Sequence, residues 1–227
     1  MADDAPGDAS DVAPDAAAVA DGVVVAQTMQ RADEDGSGVR IETLTLARIP
    51  ENFAIMQEFL GSKHCCCLVP MNCCCESEAD AARTFSKWPK DKRALGAVAL
   101  DTSTDRVIGI IQGAGFGHPC ELHKPKKGEV YVDHLAVTSE ARGKGVGTKL
   151  LNWLEAAARA RGDHTLVLSV LRGNPARRLY LRFGFVSKKA DPCEEACGAI
   201  FVATMFGRPY GCCNPGWGAE DMYKSLA

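Results

Sequence analysis

No stretch of this 227-residue chain approaches the roughly 18 consecutive apolar residues of a membrane-crossing helix, the longest candidate being Gly198 to Gly207. The N-terminus also lacks the basic residues that open a signal peptide. Of 29 acidic and 26 basic residues, nine acids and a single Arg fall in residues 1–38, which leaves 20 and 25 in residues 39–227. That first segment has no aromatic residue, and only Val23, Val24 and Val25 offer it anything to bury. It reads as a disordered acidic tail. The expectation is a soluble cytoplasmic protein, with a nuclear or membrane-associated location left open. The body is only mildly basic and does not cluster Lys and Arg as duplex binders do, so it suits an anionic small molecule and not nucleic acid. With 46% hydrophobic and 24% charged residues the composition is that of a globular chain, which excludes a fibrous or wholly disordered one.

The cysteines lack the spacing of a disulfide framework. There are 11, an odd number, and they run as Cys65-Cys66-Cys67, Cys73-Cys74-Cys75, Cys193, Cys197 and Cys212-Cys213, with Cys120 alone. Adjacent cysteines seldom pair with each other, so reduced thiols are expected. The double Cys-x2-Cys of a zinc site is missing too, and Cys193-x3-Cys197 matches it only in part. Three readings stay open for the cysteine-rich segments 64–75 and 193–213: buried small hydrophobes, a thiolate-metal site, and S-acylated thiols giving membrane contact without a span.

What the chain does contain is a regular alternation of elements. A strand is expected from about Val39, followed by a helix opened by Pro50 and Asn52 that runs to about Leu60. A second helix starts on Ser77 and is stopped by Pro89. Ala94 to Leu100 and Arg106 to Gln112 flank Asp101-Thr102-Ser103-Thr104-Asp105, whose side chains favour a turn, so they predict an antiparallel hairpin. Glu129 to Val137 is apolar on both faces and belongs at the centre of a sheet. Val146, Leu150, Leu154, Ala157 and Ala158 recur at helical spacing, which predicts a helix over Val146 to Ala160 closed by Gly162. A buried strand from His164 to Leu171, a helix from Asn174-Pro175 through Arg182, and a strand after Phe183-Gly184-Phe185 complete the order. The last strand has two candidates, Met222 to Leu226 and Gly198 to Phe206.

Between the central strand and the clearest helix lies Arg142-Gly143-Lys144-Gly145-Val146-Gly147. Glycines opening a helix just after a strand bring free backbone N–H groups to one spot, where the helix dipole adds attraction for an anion. The same run is also compatible with simple turn chemistry. It is not a Walker loop, since no Gly-Lys-Ser/Thr ends it, nor a full dinucleotide fingerprint, since the third glycine is missing.

Leu135-Ala136-Val137, five residues, and then Arg142-Gly143-Lys144-Gly145-Val146-Gly147 resembles the Arg-x-x-Gly-x-Gly acyl-CoA motif of the GCN5-related N-acetyltransferase (GNAT) superfamily. Asn174-Pro175-Ala176-Arg177-Arg178-Leu179-Tyr180-Leu181-Arg182-Phe183-Gly184-Phe185 is similar to the family's Asn…Tyr…Gly-Phe helix and turn. The resemblance covers about 40 to 226. It implies a single mixed α/β domain over 39–227 in the order β-α-α-β-β-β-α-β-α-β, with splayed central strands.

The activity it implies is acetyl transfer from acetyl-CoA, as co-substrate and without a required metal, to an amine that attacks directly within a ternary complex. Leu135, Ala136, Val137, Arg142, Gly143, Lys144, Gly145, Val146, Gly147, Thr148, Asn174 and Arg177 are the implied coenzyme-binding set. Asn174 would bond the pantetheine or thioester region, and Lys144 and Arg177 would approach the phosphates unless they are merely solvated charges. Tyr180 matches the position whose hydroxyl protonates the departing thiolate, with a core tyrosine as the alternative.

A base must take the amine's proton. Glu129 is the first candidate and Asp133 the second, both expected on one strand face with Tyr131 and Leu135, and with His134 on the other. An exposed Glu129 at the strand's start is the competing reading. The acceptor stays open between peptide amines and small amines. So do two other functions: a non-catalytic CoA-binding sensor or interaction module, and a thiol-metal binding protein on the same scaffold.

Overall fold

The structure is a computed structural model and describes residues 38–61, 77–118, 123–188 and 218–226, with the backbone alone given at 59–61. Every cysteine falls outside these residues, as do the tail 1–37 and the alternative last strand Gly198 to Phe206. The elements follow in the order β1 (Val39–Thr43), α1 (Ile49–Gly61), α2 (Glu78–Lys87), α3 (Lys90–Arg93), β2 (Gly96–Asp101), β3 (Val107–Gly115), β4 (Glu129–Val137), α4 (Val146–Ala160), β5 (Thr165–Leu171), α5 (Arg177–Arg182), β6 (Val186–Ser187) and β7 (Ala219–Ser225). The seven strands form one mixed sheet in the order β1-β2-β3-β4-β5-β7-β6. This is the α/β architecture the resemblance implies, with β4 in the middle.

Local chemistry accounts for the boundaries. At the start of α2 the Ser77 hydroxyl accepts the Asp80 N–H at 3.2 Å while the Asp80 carboxylate accepts the Ser77 N–H at 3.3 Å. This reciprocal pair satisfies two donors that the first helical turn leaves without carbonyls. Phe85 on the same helix is buried, 5.5 Å from the ring of Trp88. In the β2–β3 turn the Asp101 carboxylate accepts both the N–H and the hydroxyl of Ser103, at 2.8 and 2.6 Å, and the hairpin is antiparallel. The single turn α3, directly after Pro89, has no counterpart in the sequence reading: four residues are too few for a periodic pattern.

Helices cover both faces of the sheet. Val146, Leu150, Leu151, Leu154 and Ala158 of α4 pack with Val130, Val132, Leu166 and Leu168 on one face. On the other, Ile49 and Ile55 of α1 and Phe85 of α2 pack with Val98, Leu100, Ile110 and Ala136. The closing strand is β7, the Met222 alternative begun three residues earlier, and it inserts between β5 and β6 antiparallel to both.

β4 departs from the strict alternation expected of it. In its ladder with β3, Gln112 faces His134 but Gly113 faces Val132, so Asp133 is an extra residue, a β-bulge. Strict alternation stops there. Val130 and Val132 before the bulge, and Leu135 and Val137 after it, all pack on the α4 side, whereas Ala136 joins the α1 side. Leu135 therefore leaves the face of Glu129 and Tyr131, and His134, two residues from Ala136, comes onto it.

Candidate active site

The bulge has a consequence for the next strand. β4 and β5 run parallel and pair at only three positions, Glu129 with Thr165, Val130 with Leu166 and Tyr131 with Val167. Beyond them the strands part: β4 continues to Val137 and β5 to Leu171, while the far edge of β5 stays paired with β7 along its whole length. The result is a fork closed at Tyr131 and Val167 and open toward Val137 and Leu171. Buried Gln112 braces the bulge, its amide nitrogen donating to the carbonyl of Gly113 at 2.7 Å and of Lys92 at 3.1 Å. Gly113 has no space for a side chain, because a Cβ there would stand 2.9 Å from Leu154.

At the open end β4 leads through a 3-10 turn, Ser139–Ala141, into the glycine loop, which the Arg142 Nε ties back to the Val137 carbonyl at 3.0 Å. Gly143 and Gly145 hold φ of 77° and 81°, a conformation that disfavours side chains, and nothing lies within 4 Å of where a Cβ would be. Gly145 is the N-cap of α4 and no side chain caps the helix. The first bond back onto that cap runs from the Lys149 N–H to the Gly145 carbonyl. The N–H groups of Val146, Gly147 and Thr148 thus precede the first intrahelical donor and face the space the glycines leave open.

Buried Val146 anchors this end to the core. Gly147 serves a different purpose, since a Cβ on it would approach Leu179 of α5 to 3.0 Å. Arg142, Lys144 and Thr148 are exposed at the mouth of the loop, and Leu135, Ala136 and Val137 form the β4 arm of the fork. A loop of this kind fits a phosphate or pyrophosphate group, and an extended chain with amide groups fits the fork as an added strand.

The β5 arm leads to the second motif. Asn174 donates its N–H to the Leu171 carbonyl at 3.0 Å, and its side-chain oxygen accepts the Ala176 N–H at 2.9 Å, which turns the chain into α5. Tyr180 is buried with its ring edge-on to Phe185 at 5.9 Å. Arg177 has another partner than a ligand: it grips Glu220 of β7 through two bonds, of 2.6 and 3.2 Å, and holds that carboxyl below the usual range. Its approach to phosphates, expected above, competes with this ion pair.

The predicted acids separate. At the closed end of the fork a cleft of about 280 Å³ is lined by His123, Lys126, Glu129, Val167, Lys188 and Asp221, among others. Glu129 is half-buried there and accepts the Lys126 N–H at 2.9 Å. Asp133, at the bulge, is also half-buried, 3.8 Å from His134, and does not line the cleft.

His123 does not stand out in the sequence, where it lies in an irregular Gly, His and Lys-rich loop. Its ring stacks on Tyr131 at 4.9 Å, nearly parallel, and its Nε2 is 3.6 Å from the Glu129 carboxylate. Asp221 escapes sequence reasoning as well: the Ser169 hydroxyl donates to it at 2.5 Å. Neither has a sequence signal, because the cleft is assembled from the loop before β4, from β4, β5 and β7, and from the residue that follows β6. Among the described residues no three of His, Cys, Asp and Glu gather as metal ligands, and no helix is long and apolar enough to cross a membrane.

A family model described as the acetyltransferase (GNAT) family matches residues 63–185. Among solved structures the chain is similar to a GCN5-related N-acetyltransferase from Kribbella flavida, with a TM-score of 0.57 and 18% identity over 83% of this chain and 98% of that one. It is also similar to yncA, a putative acetyltransferase from Salmonella typhimurium solved with acetyl-CoA, with a TM-score of 0.56 and 18% identity over 84% and 95%. A third is the paia N-acetyltransferase of Thermoplasma acidophilum, solved with coenzyme A, with a TM-score of 0.52 and 16% identity over 82% and 98%. At such identities the likeness concerns the fold. No curated protein matches the chain significantly.

Proposed function

The chain belongs to the acetyltransferase (GNAT) family, and from that premise we propose that it transfers an acetyl group from acetyl-CoA to the amine of a peptide or small molecule by direct attack. The observation that carries this reading is the coincidence of two main-chain features: a fork between β4 and β5, and an uncapped helix start at the fork's open end. The two similar structures solved with acetyl-CoA and coenzyme A support it.

In this reading the Val146, Gly147 and Thr148 amides and the glycine loop hold the pyrophosphate, with Lys144 at the mouth. The arms of the fork hold the pantetheine by main-chain bonds, and the Asn174 amide nitrogen donates to it. The thioester then lies near the closed end, where a backbone N–H of the Leu135–Val137 segment meets the oxygen as charge develops on it. The amine arrives through the cleft on the Glu129 side. A lysine or polyamine nitrogen titrates near pH 10.4 in water, about three units above neutrality, so it arrives protonated and a base must first free the lone pair. Glu129 lines the route; Asp133 stands beyond it and would act through water. Tyr180 gives the departing thiolate its proton. The reaction belongs to residues 39–227.

The test is transfer from labelled acetyl-CoA by the full chain to a panel of peptides, amino acids, polyamines and arylamines, read by mass. A labelled product names the acceptor class. CoA binding with no product from any acceptor would favour a CoA-binding module instead.

A further inference from the structure

The cleft at the closed end of the fork holds one more proton acceptor besides the carboxylates of Glu129 and Asp221. His123 stacks on Tyr131, which with Val167 forms the last rung before β4 and β5 part. The imidazole therefore stands at the fork's closed end, half-buried, on the face from which the cleft opens. Glu129 lies beside it, fixed by the Lys126 N–H, with Oε2 3.6 Å from Nε2. That separation is too long for a hydrogen bond and short enough for charge pairing. Two groups of different chemistry thus share one spot. For taking up an amine's proton near neutral pH, an imidazole is better matched than a carboxylate.

We infer that His123 is the catalytic base of the transfer and that Glu129, fixed by the Lys126 N–H beside the ring, is its positioning residue. This rests on the acyl-transfer reading above. The step balances. The ammonium gives one proton to His123, which passes it to solvent through the cleft. The freed nitrogen bonds to the thioester carbon as the carbon–sulfur bond breaks. The thiolate receives a proton from Tyr180, which recovers one from the nitrogen now carrying the acetyl group. The titratable groups that line the cleft with His123 are Lys126 from the same loop, Glu129 from β4, Lys188 after β6, and Asp221 and Tyr223 from β7, and Tyr131 stacks on its ring. Of these, Glu129 is at ion-pair distance.

The experiment follows kcat/KM of the full chain against pH, from about pH 5 to 9, with the best acceptor of the panel. His123→Gln is expected to lower kcat by about 10²-fold or more, to keep CoA affinity, and to remove the acid limb of the profile. Glu129→Gln is expected to cost less, about tenfold in kcat, and to keep that limb. A limb that survives in His123→Gln and disappears in Glu129→Gln makes Glu129 the base and overturns the inference while leaving acyl transfer intact. No product from the unmodified chain with any acceptor overturns both. Should His123→Gln fail to fold, Glu129→Gln decides alone: an acid limb retained in it supports the inference, and loss of that limb overturns it.

Discussion

The two ends of the fork are built from different materials. At the open end the groups that face outward are main-chain amides, positioned by glycine dihedrals and by the start of α4, and the side chains there, Arg142, Lys144 and Thr148, are exposed. At the closed end the chemistry is carried by side chains, His123, Glu129 and Asp221, drawn from a loop and two strands. A backbone cradle recognises the part of a ligand common to every reaction of its kind. A cleft of side chains is free to change with the acceptor. In the proposed reading, this is why the coenzyme half of the site is written in one short segment and the acceptor half is not.

The difference can be broken most severely at Gly145. Val at this position meets open space but must adopt φ near 81°, which costs about 1–3 kcal/mol, so Gly145→Val is expected to weaken CoA binding by roughly 10-fold to 10²-fold, read by calorimetry. Tyr180→Phe should separate the halves from the other direction. It keeps the buried ring against Phe185 and removes the hydroxyl, so kcat is expected to fall by about tenfold or more while CoA affinity stays.

A smaller effect is expected at the hinge of the fork. Gln112→Leu strips the amide donor from the Gly113 carbonyl beside the bulge and is expected to cost about 1–3 kcal/mol in denaturant melts. The least disruptive change is Glu220→Gln on β7. The Arg177 guanidinium holds the Glu220 carboxyl below its usual range. The pair therefore stabilises the fold above the ordinary glutamate range near pH 4.3, and that contribution is lost as pH falls through the lowered folded value. Glu220→Gln is expected to melt lower than the parent at neutral pH and to lose less on acidification; parallel losses in the two proteins would remove the ion pair as the cause.

How much of this is legible in the sequence follows the same division. The helix Val146 to Ala160 is legible at both ends, because five apolar residues at helical spacing lie between two glycines with positive φ, Gly145 and Gly162. Ser77 marks the start of α2, and the capping pair with Asp80 explains why. These are contacts within a few residues of one another. The bulge at Asp133 is not legible, since it depends on how β4 meets Gln112 and Gly113 across the sheet, and strict alternation without it puts Leu135 and His134 on the wrong faces. The place of β7 between β5 and β6 is likewise a matter of long-range pairing. His123 escapes for the same reason: only the fold sets it on Tyr131 beside Glu129.

If main-chain groups of the fork and of the α4 start hold the coenzyme, amide hydrogen exchange of the full chain with and without CoA will show it. New protection is then expected at Val132 to Val137, at Leu168 to Leu171 and at Val146 to Thr148, with β1 and β2 unchanged. Protection that bypasses the fork and the helix start, in a protein that binds CoA, rules this mode of binding out.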